Sequence, residues 1–249
     1  MTPAQSLLVL GAGALAGAIN AVAGGGTLVS FPALLAVGIS PVTANVTSSV
    51  GLLTGYAGGS VAYRRELEGQ RDRVRALALA GVIGGVAGAL LLLVTPGDRF
   101  RALVPYLILL SSLLLAVQPQ VARRLADRGE GRSAWQAAAG VGIAAVYGSY
   151  FGGGLGVILL AVLGLLIADE LHRLNALKGV LSLIINLAGV AVFLIAGRVD
   201  WLAAGLLAVG ALVGATFGVR LARRLPGQSV RVFVVAAGIA VAVTLFARG

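Results

Sequence analysis

Apolar residues run through this chain in long blocks parted by short polar or charged stretches. Blocks of about 20 residues, enough to cross the ~30 Å hydrocarbon core of a bilayer as an α-helix, fall at about 41–63, 76–95, 100–118, 174–196, 201–220 and 229–247. This pattern predicts six spanning helices. Two further stretches, 5–37 and 134–168, are too long for one simple span, and each is interrupted by a glycine triplet, Gly24 to Gly26 and Gly152 to Gly154. Each stretch is expected to be one broken helix or a re-entrant hairpin. The arm from Thr27 to Val37 has 11 residues; at ~1.5 Å each it covers about half the core and cannot cross alone.

Composition narrows the class. Of 249 residues, 59% are hydrophobic and 11% charged, against about 25% charged in a soluble domain, which excludes an ordinary soluble globule. The 37 glycines suit transmembrane helices, where glycine is common. With no cysteine and a single histidine, His172, neither a thiolate site nor a histidine-ligated metal is expected, and no metal or other cofactor is assigned. A net charge of +10 would suggest nucleic acid in a soluble protein. Here the basic residues flank apolar runs, as cytoplasmic positive charge does, so nucleic acid is not an expected partner and the lipid bilayer is. No Lys or Arg precedes Arg64, so the first apolar run lacks the basic start of a cleavable signal peptide and is expected to be retained.

The same basic residues choose between topologies. If both glycine-broken stretches are re-entrant, 15 Lys and Arg residues fall on one side and four, Arg99, Arg101, Arg198 and Arg248, on the other. Two full crossings would give 11 against 8, a poorer fit to the rule that positive charge collects inside. The re-entrant layout puts both termini outside and makes the second half enter from the opposite side to the first. It therefore implies inverted repeats, a recurrent transporter construction with the substrate site near mid-membrane. Asn45 and Asn175, Gly59 and Gly189, Gly84 and Gly214, Gly88 and Gly218, and Arg101 and Arg231 are each 130 residues apart, and the glycine triplets 128. The expected fold is an all-α polytopic membrane protein of two inverted repeats, 1–121 and 134–249. Each repeat is a glycine-broken re-entrant helical hairpin followed by three spanning helices, and the charged segment 122–133 is a cytoplasmic linker.

Polar residues gather where the helices break. Glycine-broken backbone is tolerated at membrane depth only inside protein or around a cavity, and a helix restarting at Thr27 or near Leu155 presents free N–H groups that suit an anion. The same glycines would equally serve close helix packing. Asn20 and Thr27 flank the first triplet, and Thr43, Asn45, Thr47, Ser48 and Ser49 follow Pro41. In the second half Ser149 and Tyr150 precede the triplet, and Asn175 and Lys178 occupy the places of Asn45 and Ser48. Amides, hydroxyls and one ammonium are donors for a tetrahedral oxyanion. The substrate-binding set is then Asn20, Gly24, Gly25, Gly26, Thr27, Asn45, Thr47, Ser48, Ser149, Gly152, Gly153, Gly154, Asn175 and Lys178. Lys178 is read either as an intramembrane binding charge or as a side chain snorkelling to the cytoplasm. Asp169, Glu170 and His172 read as solvated or gating charges, and Asn186 as a cavity residue or an interhelical link. No Ser-His-Asp grouping, intramembrane carboxylate pair or HExxH occurs, so an enzyme is not expected.

The run of Gly17, Asn20, Gly24 to Gly26, Thr27, Pro32, Gly38, Pro41, Ala44, Asn45, Thr47 and Ser48 resembles the signature of the TauE/SafE sulfite-exporter (TSUP) family. Its counterpart, Gly152 to Gly154, Asn175, Ala176 and Lys178 with Gly197, Val199, Asp200 and Trp201, resembles the same family. Ser149, Tyr150 and Phe151 depart from its pattern, standing where an Asn-like residue is usual. The resemblance implies a bacterial inner-membrane carrier of small sulfur-containing anions such as sulfite, thiosulfate or organosulfonates. The expected function is secondary transport by alternating access; an anion channel with the same binding elements, or a carrier of another small anion, is the alternative. The coupling ion, proton or sodium, and a homodimer are left open.

Overall fold

The computed structural model describes residues 1–22, 24–62, 66–126, 134–222 and 227–248. These residues form ten helices and no strand. In the first half they are α1 (Pro3–Val22), α2 (Thr27–Ala36), α3 (Pro41–Ala62), α4 (Arg71–Val94) and α5 (Gly97–Ala126). The second half contains α6 (Ala134–Tyr150), α7 (Leu155–Leu166), α8 (Leu171–Ala196), α9 (Trp201–Ala222) and α10 (Gly227–Arg248). All six expected spans are present as helices, and both glycine-interrupted stretches split in two. Helix α5 extends to Ala126, into the expected linker; 127–133, with Arg128 and Arg132, and also Arg64, Arg65, Arg223 and Arg224, lie outside the described residues.

Helix ends follow local chemistry. Pro41 opens α3, where a missing N–H costs nothing. Asp200 caps α9, its Oδ1 accepting the Ala203 N–H at 3.0 Å, and α8 stops at Gly197 in the left-handed conformation, φ 69°, as glycine C-caps do. By length and composition α1, α4, α5 and α8 are each apolar enough to cross a membrane. Large apolar side chains such as Leu79, Ile83, Ile143 and Ile195 point outward, while glycine, alanine and serine fill helix contacts. That distribution suits lipid, where close van der Waals packing drives helix association.

Chain directions can be read from those contacts. A Cβ built on Gly13 meets Leu207, and one on Gly17 meets Ala211, so α1 and α9 run the same way. Gly51, Gly55 and Gly58 meet Leu207, Ala211 and Ala215, which adds α3 to that group. Likewise Gly84 and Gly88 face Gly142 and Val146, and Gly81 and Gly85 face Ile185 and Ala188, so α4, α6 and α8 share one direction. Gly179 of α8 meets Ser60 of α3 near the end of one helix and the start of the other, so the two groups are antiparallel. Since α1 and α3 descend together, α2 must return between them. Helix α7 likewise folds back on α6, with Gly148 against Leu155 and Gly140 against Val162. Helices α2 and α7 have 10 and 12 residues, about 15–18 Å or half the hydrocarbon core. Both glycine-broken stretches are therefore re-entrant.

Candidate functional site

The two hairpin tips touch. Gly24 has φ 73°, and a Cβ built there would lie 3.0 Å from Gly156 Cα. Thr27 Oγ1 stands 3.1 Å from the Cβ position of Gly152. Each tip is fastened differently. Asn20, on the last turn of α1, accepts the N–H groups of Gly25 at 3.0 Å and Gly26 at 2.7 Å on Oδ1. This occupies two donors that were expected to face an anion. On the second tip Ser111 of α5 stands 2.9 Å from the Gly153 carbonyl and 2.8 Å from the Tyr147 hydroxyl. Both serine and tyrosine come from helices that the sequence gives no reason to connect.

Beside the first tip a small cavity of about 30 Å³ is lined by Asn20, Gly24, Tyr56, Ser60, Gly156, Asn175, Lys178 and Ser182 among others. It has room for a water or two. Lys178 is only 7% exposed, and its ammonium donates to Asn175 Oδ1 at 3.1 Å instead of reaching for the surface. Among the described residues no carboxylate pairs with it. Asn175 is oriented in turn, its Nδ2 donating to the Leu171 carbonyl at 3.0 Å. Asn20 Nδ2 is buried without a hydrogen bond. The Tyr56 hydroxyl faces it and Asn186, but the geometry falls short of bonding Asn20. Asn186 Nδ2 donates to the Ser182 carbonyl at 2.8 Å.

Of the expected binding residues, this cavity gathers Asn20, Gly24, Asn175 and Lys178. The others are placed elsewhere. Asn45, fully buried near the start of α3, donates its Nδ2 to the Tyr150 carbonyl at 2.8 Å. Thr47 Oγ1 accepts the Asp200 N–H at 3.0 Å, and Ser48 bonds Ser30 at 2.6 Å. Ser149 reaches the Ile185 carbonyl at 3.4 Å. Gly25 and Gly26 are tied to Asn20, while Thr27, Gly152, Gly153 and Gly154 form the seam between the tips and α5. Sequence reasoning did not single out Tyr56, Ser60, Ser182 or Ser111. The signal available for Ser182 was its four-residue spacing between Lys178 and Asn186, which puts all three on one helical face.

The arginine-rich end beneath this cavity is clasped by charge. Asp169, 12% exposed, pairs with Arg73 of α4 and with Arg173 of α8 at 3.0 Å. Burial pushes its carboxyl upward, but the Glu170 N–H and the two guanidiniums outweigh that and hold it below the usual carboxylate value. Gln70 adds a bond from Nε2 to the Arg173 carbonyl at 3.0 Å, and Arg173 reaches the Glu68 carbonyl at 3.3 Å. Asp169 is thus an ion-pair hub, while His172 lies exposed.

A membrane-embedded cation beside two apposed re-entrant hairpins points to a transporter, and comparison with known proteins agrees. The family model described as "Sulfite exporter TauE/SafE" matches residues 9–245. "Probable membrane transporter protein ORF9" of Sinorhizobium sp. is 29% identical over 236 residues, 94% of this chain and 89% of that one. "Probable membrane transporter protein YfcA" of Escherichia coli K12 is 28% identical over 208 residues, 83% of this chain and 77% of the relative. A "Probable membrane transporter protein" of Haemophilus influenzae is 27% identical over 212 residues, 84% and 82% of the two chains. The chain is a membrane transporter of the TauE/SafE sulfite exporter family.

Proposed function

We propose that the protein carries small sulfur-containing oxyanions, of the sulfite, thiosulfate or organosulfonate class, across the cytoplasmic membrane by alternating access. The observation that carries this reading is Lys178. A buried ammonium is expensive in a membrane, and its one hydrogen-bonded partner among the described residues is a neutral amide. An anion in the adjoining cavity would complete it, with Asn20 Nδ2 and the hydroxyls of Tyr56, Ser60 and Ser182 as further donors. The start of α7, at Gly156 on the cavity wall, adds the positive end of a helix dipole.

The helix directions support inverted repeats. The first and third helices of each half lie with the fourth of the other: α1, α3 and α9 in one group, α6, α8 and α4 in the opposed one. Within a group, glycines bring backbones into direct contact, so sliding would create overlap. The seam between α3 and α8 is held by side chains, Tyr56 facing Asn186 and Ser60 meeting Gly179. Rocking of one group against the other would open that seam. Positive charge at Arg71, Arg73, Arg75 and Arg173 favours a cytoplasmic lower end. A cavity of 30 Å³ is closed against a four-atom oxyanion, which favours a gated carrier over an open channel.

The test is binding of sulfite and thiosulfate to purified protein, with sulfate and chloride as controls. Wild type should bind selectively, and Lys178→Ala should lose at least tenfold in affinity, about 1.4 kcal/mol, as expected for a charge-assisted contact. Undiminished affinity in Lys178→Ala would remove the lysine from the site.

A further inference from the structure

We infer that Asn45 marks a second site, for a sodium ion, at the C-terminal end of α6. Asn45 is 0% exposed, and its Oδ1 has no hydrogen-bond partner. The orientation of the amide is fixed, because Nδ2 donates to the Tyr150 carbonyl at 2.8 Å; a flipped amide would set two oxygens against each other. An acceptor is therefore left over at a place where the sequence suggested an anion donor. Leaving it unpaired costs about 1–3 kcal/mol, and an anion would make that worse.

Beside the Phe31–Phe151 and Phe100–Tyr150 ring pairs, the adjoining helix end carries neutral oxygens. Tyr150 is the last residue of α6, where terminal carbonyls lack helical partners and carry the negative end of the dipole. Around the Cβ position of Gly152, two residues on, Thr27 Oγ1 stands at 3.1 Å and the Gly148 carbonyl at 3.5 Å. Ser48, one turn from Asn45, shares its hydrogen bond with Ser30. Carbonyl, amide and hydroxyl oxygens at a broken helix end are the ligands a transporter offers to sodium. A divalent ion would call for carboxylates. The acid tied to this region, Asp200, already uses Oδ1 to cap α9. Protonation has no suitable group either, since the Tyr150 hydroxyl is turned away toward Thr95 at 3.5 Å.

The two asparagines are complementary. Asn20 has both bonds on its oxygen and leaves a donor beside Lys178; Asn45 uses its nitrogen and leaves an acceptor beside a helix C-terminus. A dianion held by one ammonium retains a negative charge, which a sodium ion would balance. The sodium site stands on its own geometry, and its role in coupling rests on the oxyanion reading.

The experiment is thermal unfolding of the purified full chain in sodium chloride against choline chloride at equal ionic strength, with no sulfur anion present. Wild type should show a saturable, sodium-specific rise in midpoint that Asn45→Ala loses and Lys178→Ala keeps. Equal midpoints in sodium and choline for wild type would overturn the site, whether or not the variant folds; so would a full sodium response in Asn45→Ala. Thiosulfate affinity, measured separately, should tighten about fivefold or more at saturating sodium, the lower end of ordinary coupling between sites. Sodium stabilisation without any sulfur-anion binding would sink the oxyanion reading and leave the cation site. Anion binding with no sodium effect on unfolding would do the reverse.

Discussion

Gly24→Ala tests whether the hairpin tips meet as described. Two costs arise at that position. With φ at 73°, an L-residue in the left-handed region loses about 1–2 kcal/mol. The new methyl would also stand 3.0 Å from Gly156 Cα, backbone of the opposite tip that cannot rotate aside, and overpacking of this kind typically costs about 1–3 kcal/mol. The expected loss is therefore about 2–5 kcal/mol. Gly38→Ala separates the terms: Gly38 has φ 90° with nothing within 4 Å of its Cβ position, so it incurs the backbone term alone. The stiffer unfolded chain, a stabilising effect of about 0.4–1 kcal/mol, is common to both variants. Unfolding in detergent should rank wild type above Gly38→Ala above Gly24→Ala, and thiosulfate affinity should fall in Gly24→Ala alone. Equal destabilisation by the two variants would refute contact between the tips.

Three further outcomes follow from the same geometry. Because the Asp169 carboxyl is held below its unfolded value of about 3.9, its stabilisation is complete above that pH and disappears as pH falls through the lower folded value. Asp169→Asn should thus melt below wild type at neutral pH, by the equivalent of about 1–2 kcal/mol, with the gap closing in acid; a gap that persists in acid would contradict the ion-pair hub. Asn20→Asp keeps the oxygen that binds Gly25 and Gly26 but turns the free donor into an acceptor beside Lys178, so it should retain folding while thiosulfate affinity drops more than tenfold; unchanged affinity would exclude Asn20 from the site. The chain has no cysteine, so Ser60→Cys with Gly179→Cys, across the α3–α8 seam where the Cβ position of Gly179 lies 4.0 Å from Ser60 Oγ, can be oxidised cleanly. Flux into liposomes should stop and return on reduction. A Gly58→Cys, Ala215→Cys crosslink inside one group, its Cβ positions 3.5 Å apart and within disulfide range, should leave flux intact. Full flux through the oxidised seam would rule out rocking there.

The spans were legible because lipid allows little variety: an uninterrupted apolar run of sufficient length has to be a helix. The hairpins were legible because the glycine triplets leave arms too short to cross the hydrocarbon core, and α2 and α7 have 10 and 12 residues. The cavity was only half legible. Lys178 and Asn175 declared themselves by charge and spacing, and Asn20 by standing next to a triplet. Tyr56 and Ser60 did not, because α3 carries polar residues along much of its length and only its antiparallel crossing with α8 decides which of them face inward. The dense run of Asn45, Thr47 and Ser48 lies outside that cavity, for a related reason. Counting donors in sequence cannot reveal that Asn45 already donates to the Tyr150 carbonyl, that Thr47 accepts the Asp200 N–H and that Ser48 bonds Ser30.

Under the proposed repeat relation, the two halves differ in chemistry. At the 128-residue spacing of the triplets Asn20 corresponds to Gly148, and at the 130-residue spacing further on Ser48 corresponds to Lys178. Asn20 caps the N–H groups of the first tip and still offers a side-chain donor, whereas Gly148 has no side chain to do either. Replacing Ser48 by Lys178 in the other half places the positive charge on one face of the junction alone. On the proposed oxyanion reading, an anion drawn to that charge would enter the cavity that Gly24 and Gly156 line together, and opening of the α3–α8 seam would expose the ammonium. A larger residue at Gly24 would meet the Gly156 backbone at 3.0 Å, so that reading requires glycine where the tips touch beside the single cation.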